Sequence, residues 1–193
     1  MSNKINVLAI SGSARSASFN TALLFAASEL TETGIDIEIY DGVSQLPIFS
    51  QELEGVNRPR EVIELDEAIR RADAVLISTP EYNGSLPGGL KNFLDWGSRP
   101  YADGAFVGKP TAVIGASTGQ YGGARAVQAT AEILRHMGSN VLSGHLTVGT
   151  AQSKFNSAGV LRDEMTKKSL VEIVNRLREL SEVGVDTGIK VRS

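Results

Sequence analysis

Three short stretches of the chain are almost continuously apolar, at residues 5–10, 74–78 and 111–116. Such runs are typical of central strands in a parallel sheet, which helices cover on both faces. A fourth stretch, Ile35–Tyr40, alternates isoleucine with acidic residues. This alternation predicts a strand near a sheet edge, with one face in contact with water. Val141–Leu142 is a weaker fifth candidate.

Segments with helical periodicity separate these strands. The predicted helices cover Thr21–Glu32, with Asn20 as N-cap, Pro87–Trp96, and residues 60–72, 123–137 and 161–183. Alternating strands and helices with right-handed crossovers give a doubly wound α/β sandwich of three layers around a five-stranded parallel sheet. Residues 1–193 are predicted to form a single domain, with a poorly ordered tail after Gly184.

Composition narrows the class of protein. A chain of 193 residues is long enough to bury a sizeable core. Its net charge of −3 gives no reason to expect nucleic-acid or anionic membrane binding. The absence of cysteine excludes disulfides, iron–sulfur ligation and thiol chemistry. Since the first apolar run is too short for a signal peptide or a membrane span, we expect a soluble, cytoplasmic protein.

Three loops carry the unusual composition of this chain. They cover residues 11–20, 79–87 and 117–123, are rich in Gly, Ser, Thr or Asn, and each follows one of the continuous apolar strands. Ligands of open α/β sheets bind outside the carboxyl ends of the strands. The sequence therefore predicts a binding site built from these three loops.

The first loop, SGSARSASFN at residues 11–20, combines four serine hydroxyls and an amide with the single cation Arg15. It also precedes a predicted helix, whose first N–H groups attract anions. The loop has one glycine, so it is not a dinucleotide fingerprint, and GAFVGKPT at 104–111 has the wrong spacing for a P-loop and precedes its strand. We interpret the loop as a cradle for a phosphate monoester, with a plain serine-rich turn as the alternative.

The second loop reads TPEYNGSLPGG at residues 79–89. Pro80 and Pro87 stiffen its two ends, and Asn83-Gly84 is a strong turn dipeptide. Tyr82 lies at its tip, where a flat ring beside backbone N–H groups can hold a planar heterocycle. The alternative is a tight β–α turn in which Tyr82 is merely half-buried.

A family resemblance joins these motifs. Residues 80–100, PEYNGSLPGGLKNFLDWGSRP, strongly resemble the hallmark segment of the NAD(P)H-dependent FMN reductases, and most closely that of the bacterial quinone or chromate reductases. SGSARSASFN matches the phosphate loop of that family, and the region around residues 122–126 resembles its third loop. The resemblance extends over most of the chain, roughly from Asn3 to Leu180.

The resemblance implies a flavodoxin-like fold with strand order 2-1-3-4-5 and tightly bound FMN. It implies a homodimer or homotetramer whose interface helps to form the flavin pocket. The implied activity is a ping-pong transfer of electrons from NADPH or NADH to a quinone or another oxidised acceptor, such as a flavin, an azo compound or chromate. No catalytic side chain and no metal are implied, because FMN carries the chemistry.

The resemblance also assigns site residues by position. The 5′-phosphate would lie among Ser11, Ser13, Arg15, Ser18, Asn20 and Thr21. The isoalloxazine ring would lie against Pro80, Glu81, Tyr82, Asn83 and Gly84, largely through backbone groups. The third loop would close the pocket with Ser117 and Gly119.

Two other functions fit parts of the sequence. A flavodoxin-like one-electron carrier would also hold FMN, although carriers of that kind tend to be strongly acidic and to clamp the ring with several aromatic residues. A phosphate-ester hydrolase would use the serine loop, but the chain lacks the cysteine of small tyrosine phosphatases and any motif for a catalytic metal. The leading hypothesis is the FMN-dependent oxidoreductase.

Overall fold

The computed structural model describes residues 4–31 and 34–186, and the tail predicted after Gly184 falls mainly on residues 187–193, outside the described part. The strands are β1 (Ile5–Ser11), β2 (Ile35–Tyr40), β3 (Ala74–Thr79), β4 (Pro110–Ala116), β5 (Asn140–Val141) and β6 (Leu146–Val148). The helices are α1 (Phe19–Leu30), α2 (Arg60–Arg71), α3 (Gly88–Gly97), α4 (Ala124–His136) and α5 (Glu164–Asp186).

The strands form one parallel sheet in the order β2-β1-β3-β4-β5, and β6 also pairs with β4. The three apolar runs lie at its centre, where every residue of β3 and β4 is buried. β2 lies at an edge, with Asp36 and Glu38 exposed. The predicted flavodoxin-like α/β fold, with its central strands, edge strand and strand order, is confirmed.

Helices cover both faces of the sheet and give it two apolar cores. On one face α1 and α5 pack against Val7, Ala9, Leu76 and Ile114. On the other face α2, α3 and α4 pack against Leu8, Ile10, Ile77 and Val113. Adjacent residues of β1 thus point into different cores, as the pleat of a strand requires.

Helix α1 begins at Phe19, two residues earlier than predicted. Its N-cap is Ser18, whose Oγ accepts hydrogen bonds from the N–H groups of Asn20 and Thr21 at 3.2 and 3.3 Å. Both serine and asparagine are favourable N-caps, so the sequence alone did not separate them. Since Ser18 serves as the cap, the Asn20 side chain is available for other contacts.

The fifth strand is divided, whereas the sequence predicted one strand at Val141–Leu142. β5 pairs with the start of β4 and β6 pairs with its end. Between them Gly144 adopts a φ of +78°, which favours glycine, and Arg176 donates to the Ser143 carbonyl at 2.6 Å. His145 lies in this gap, and its imidazole is near the Val113 backbone of β4.

This position makes His145 sensitive to acid. Burial lowers the pKa of His145 below its ordinary value of 6.5, the charge of Arg135 lowers it further, and the Val113 backbone opposes both effects. Its Nδ1 is buried and has no hydrogen-bond partner among the described residues, so a proton added there would lack an acceptor. The folded protein therefore favours the neutral imidazole.

We predict that His145 makes the fold less stable as the pH falls below 6.5, because the unfolded chain binds the proton first. Urea unfolding of the wild type should give a lower free energy at about pH 5.5 than at about pH 7.5, and His145→Gln should reduce that difference. His136→Gln, at an exposed position on α4, should behave like the wild type. Equal pH dependence in wild type and His145→Gln would contradict the prediction.

Candidate cofactor site

The three predicted loops meet at the edge of the sheet where β1, β3 and β4 end. Direct hydrogen bonds connect them. The Gly12 N–H, just after β1, donates to the Ser78 carbonyl of β3 at 2.8 Å. Glu81, just after β3, accepts from the Arg125 N–H at the start of α4 at 3.1 Å. The loops therefore form one continuous surface.

Hydroxyl groups shape the first loop from within. Ser11 Oγ lies 2.7 Å from Thr21 Oγ1 and accepts from the Ser13 N–H at 3.3 Å. Ser13 Oγ in turn accepts from the Arg15 N–H at 3.3 Å. Arg15 is exposed and follows directly on this hydroxyl chain, while α1 opens a few residues later. A guanidinium, free hydroxyl protons and a helix N-terminus suit an anion.

Asn20 holds the base of the site together. It is 3% exposed, and its Oδ1 accepts from the Ala116 N–H at 2.9 Å and from Ser78 Oγ at 3.0 Å. Its Nδ2 donates to the Ala116 carbonyl at 3.0 Å. The amide thus joins α1 to the ends of β3 and β4. These three hydrogen bonds, to Ser78 and to both backbone groups of Ala116, use the side-chain amide to position the loops.

The second loop is a tight turn, as its sequence predicts. Tyr82 and Ser85 exchange two backbone hydrogen bonds of 3.0 and 3.1 Å. Asn83 and Gly84 between them have φ angles of +52° and +77°, the pattern of a type I′ turn. Tyr82 in this turn is half-exposed, and Pro80, which precedes the turn, is buried.

Glu81 acts as a cap for a helix remote in sequence. The N-cap position of α4 is Gly123, which has no capping side chain. The carboxylate of Glu81 supplies the missing acceptor through its bond to the Arg125 N–H. A negative charge at a helix N-terminus is also favourable for the helix dipole. Glu81 therefore ties the second loop to the third.

We predict that Glu81→Ala lowers the free energy of unfolding of the apoprotein by about 1 kcal/mol, the usual value of an N-cap. Glu81→Gln keeps an acceptor oxygen and should lose less. Urea unfolding measures both. Glu132→Ala, an exposed change on the same helix, should stay within about 0.5 kcal/mol of wild type. The prediction fails if Glu81→Ala is as stable as Glu132→Ala.

The third loop is held by a segment that the sequence did not indicate. The Ser117 N–H donates to the Val148 carbonyl at 3.1 Å, and the Thr150 N–H donates to the Gly119 carbonyl at 3.0 Å. A Cβ at Gly149 would lie 2.0 Å from the Gln120 carbonyl oxygen, so this close approach requires glycine. Residues 147–151, which follow the short β6, therefore support Ser117 and Gly119.

The residues present fit a flavin mononucleotide. At one end the first loop offers donors and the cation Arg15 to a phosphate. At the other end the backbone is open, because a Cβ at Gly88 or Gly89 would meet no atom within 4 Å, and one at Gly84 would meet only Arg125, at 3.8 Å. A planar ring can therefore approach the backbone beside Tyr82 without a steric conflict.

Within residues 4–31 and 34–186, no group of three or more acidic or histidine side chains is arranged to hold a metal ion. No helix in the described part of the chain has both the length and the apolar character needed to cross a bilayer.

The fold, with its three loops at the carboxyl ends of the central strands, is that of a flavodoxin-like protein. The sequence profile described as NADPH-dependent FMN reductase matches residues 5–153. The chain therefore belongs to the NADPH-dependent FMN reductase family, and the resemblance inferred from the three motifs is confirmed.

Individual relatives agree with this assignment. The chain is 38% identical over 179 residues to an NAD(P)H-dependent FMN reductase of Pseudomonas aeruginosa, covering 92% of this chain and 96% of that protein. It is 37% identical over 177 residues to a quinone reductase of Pseudomonas putida, covering 91% and 94%. The structure of FerB, a flavoenzyme NAD(P)H:acceptor oxidoreductase from Paracoccus denitrificans, superposes with a TM-score of 0.82 at 33% identity, covering 93% and 98%.

Proposed function

We propose that this protein is a cytoplasmic FMN-dependent oxidoreductase that takes electrons from NADPH or NADH and passes them to quinones or other oxidised acceptors. One observation carries the proposal: a loop of hydroxyl groups with one arginine and an open, glycine-containing loop lie at the same end of the sheet, where Asn20 and Glu81 connect the ends of β1, β3 and β4. The similarity to proteins named FMN reductase and quinone reductase supports the reaction class.

In this proposal the chain binds and orients the cofactor. Arg15 and the Ser13 hydroxyl contact the phosphate, while Ser11, Ser18 and Thr21 keep the loop in shape around it. Pro80, Glu81, Tyr82, Asn83 and Gly84 line the ring with Ser117 and Gly119, and Asn20 acts indirectly by positioning the loops. Hydride acceptance at N5 is the chemistry that FMN supplies when bound. No side chain of the three loops has to act as a nucleophile.

We further propose that the protein is a homodimer or homotetramer. Two neighbouring segments, 47–58 and 99–101, are joined by an ion pair between Arg99 and Glu54 at 3.0 Å. They carry the exposed apolar side chains Ile48, Val56 and Tyr101. These neighbouring segments therefore offer exposed apolar surface of the kind that protein interfaces bury. Sedimentation velocity of the purified protein tests this assignment.

Anaerobic bleaching tests the function. The FMN-loaded protein is mixed with NADPH or NADH without oxygen, and its visible absorbance is followed; a soluble benzoquinone is then added. Bleaching that the quinone reverses, at a rate well above that of free FMN, is the expected result. A protein that stays colourless with added FMN would overturn the proposal. A yellow protein that neither nucleotide bleaches would instead be the one-electron carrier.

A further inference from the structure

A groove of about 780 Å³ lies beside α1; it shares Arg15, Ser18 and Thr21 with the cofactor site and extends beyond that site along the helix. One wall is the outer face of α1, the other is the segment 156–162, and residues 15–18 of the first loop form one end. Its volume is within the usual range of small-molecule sites, about 300–1,000 Å³. The groove therefore opens directly onto the phosphate end of the cofactor site.

The segment 156–162 is a preformed wall. Phe155 and Leu161 pair across it as an antiparallel bridge, and the Asn156 carbonyl oxygen Oδ1 accepts from the N–H groups of Ala158 and Val160 at 3.0 and 2.9 Å. These bonds fix the turn. A ligand in the groove would not have to order this side.

The lining of the groove carries more positive than negative charge. Three cations, Arg15, Arg162 and Lys167, line it, against the single carboxylate of Glu29 near the end of α1. Lys167 is paired with Glu164 at 2.8 Å, whereas Arg162 is exposed and makes no ion pair within the described residues. Since Arg15 contacts the FMN phosphate in the proposed function, Arg162 and Lys167 are the lining cations that can hold a second anion in the groove.

Exposed apolar side chains also line the groove. Phe25 projects from α1 with 54% of its surface exposed, and Val160 faces the same space with 43% exposed. An exposed phenylalanine beside an aliphatic side chain is a suitable surface for stacking a flat heterocycle. Phosphate-binding and ring-stacking groups thus lie in one groove.

We propose that this groove binds the adenosine 2′-phosphate part of NADPH. The inference rests on the proposed function, because it gives the electron donor of that reaction a binding position in the groove. Phe25 and Val160 hold the adenine, and Arg162 with Lys167 holds the 2′-phosphate. Contiguity with the first loop favours the donor over an unrelated ligand, since the nicotinamide end then continues toward the flavin. NADH lacks the 2′-phosphate, so the groove selects NADPH.

Calorimetry on the FMN-loaded protein tests the site with adenosine 2′,5′-bisphosphate, and with adenosine 5′-monophosphate as the comparison. FMN loading keeps the probe out of the cofactor cradle. The bisphosphate should bind at least about tenfold more tightly, and Arg162→Ala should raise its dissociation constant about tenfold, the effect of one charge-assisted contact. Phe25→Ser should weaken both probes. Arg71→Ala and Ile63→Ser, exposed changes on α2, serve as matched controls.

Steady-state kinetics give a second readout. Arg162→Ala should raise KM for NADPH more than KM for NADH. Absence of probe binding, or binding that neither Arg162→Ala nor Phe25→Ser alters, overturns the proposal. So does a change of sedimentation coefficient in these variants without a change in probe affinity, which would make the groove an interface between copies. Failure of anaerobic bleaching, by contrast, contradicts the proposed function itself.

Discussion

Arg15→Ala is expected to raise the dissociation constant of FMN about 10- to 100-fold, because the phosphate dianion loses a charge-assisted hydrogen bond and a cation in its cradle. Arg15 is the one cation in the segment 11–20, and no other residue of that loop can replace it. Titration of the apoprotein with FMN, followed by quenching of flavin fluorescence, measures the change. Arg15→Lys keeps the charge without the guanidinium fork and should be intermediate.

Riboflavin sharpens this experiment because it lacks the phosphate. Its affinity should be the same in wild type and Arg15→Ala, so the ratio of FMN to riboflavin affinity should fall with the FMN affinity. Arg71→Ala controls for a general loss of positive charge. Arg71 is exposed at the end of α2, just before β3 begins, and so lies at the opposite end of the strands from the first loop. If Arg15→Ala weakened both flavins equally, Arg15 would act on loop structure and not on the phosphate.

Asn20→Ala is expected to lower the free energy of unfolding by about 2–4 kcal/mol, the largest stability effect predicted for the site. The change leaves the Ser78 hydroxyl and both backbone groups of Ala116 without their partner in a buried place. FMN affinity should fall as well, because the three loops lose their common attachment. Urea unfolding of the apoprotein and FMN titration measure the two effects.

Two further variants make the Asn20 experiment interpretable. Ser78→Ala removes one of the three hydrogen bonds and should cost about 1 kcal/mol, which provides a folded variant if Asn20→Ala is insoluble. Asn140→Ala, an exposed asparagine on β5, should remain within about 0.5 kcal/mol of wild type. The positioning role is wrong if Asn20→Ala is no less stable than Asn140→Ala.

The central strands were predictable because burial on both faces demands continuous apolar runs, as in Ala74–Thr79. The end of the fifth strand was not predictable. Leu146–Val148 is three residues long, too short for any periodicity, and Val148 is buried in the core that α1 and α5 cover. Local pattern carries no information on such a contact.

The features of the site likewise include some that the sequence predicts and some that it does not. The three loops were identified because turn-forming and hydroxyl residues follow each central strand in sequence. Their connections are long-range: Asn20 bonds Ala116 across 96 positions, and Glu81 bonds Arg125 across 44. An asparagine before a helix is a favourable N-cap, so the local sequence predicts a capping role for Asn20, whereas Ser18 caps α1 in the structure.

The divided fifth strand has a consequence for solubility. A sheet edge with a long run of unpaired backbone groups is a template for aggregation with other chains. Here the edge beyond β4 consists of two short strands interrupted at residues 142–145. The opposite edge, β2, carries exposed Asp36 and Glu38, the former paired with Lys4 at 3.1 Å. The interruption between β5 and β6 disfavours pairing with a strand of another chain at one edge, and the charges on β2 disfavour it at the other edge.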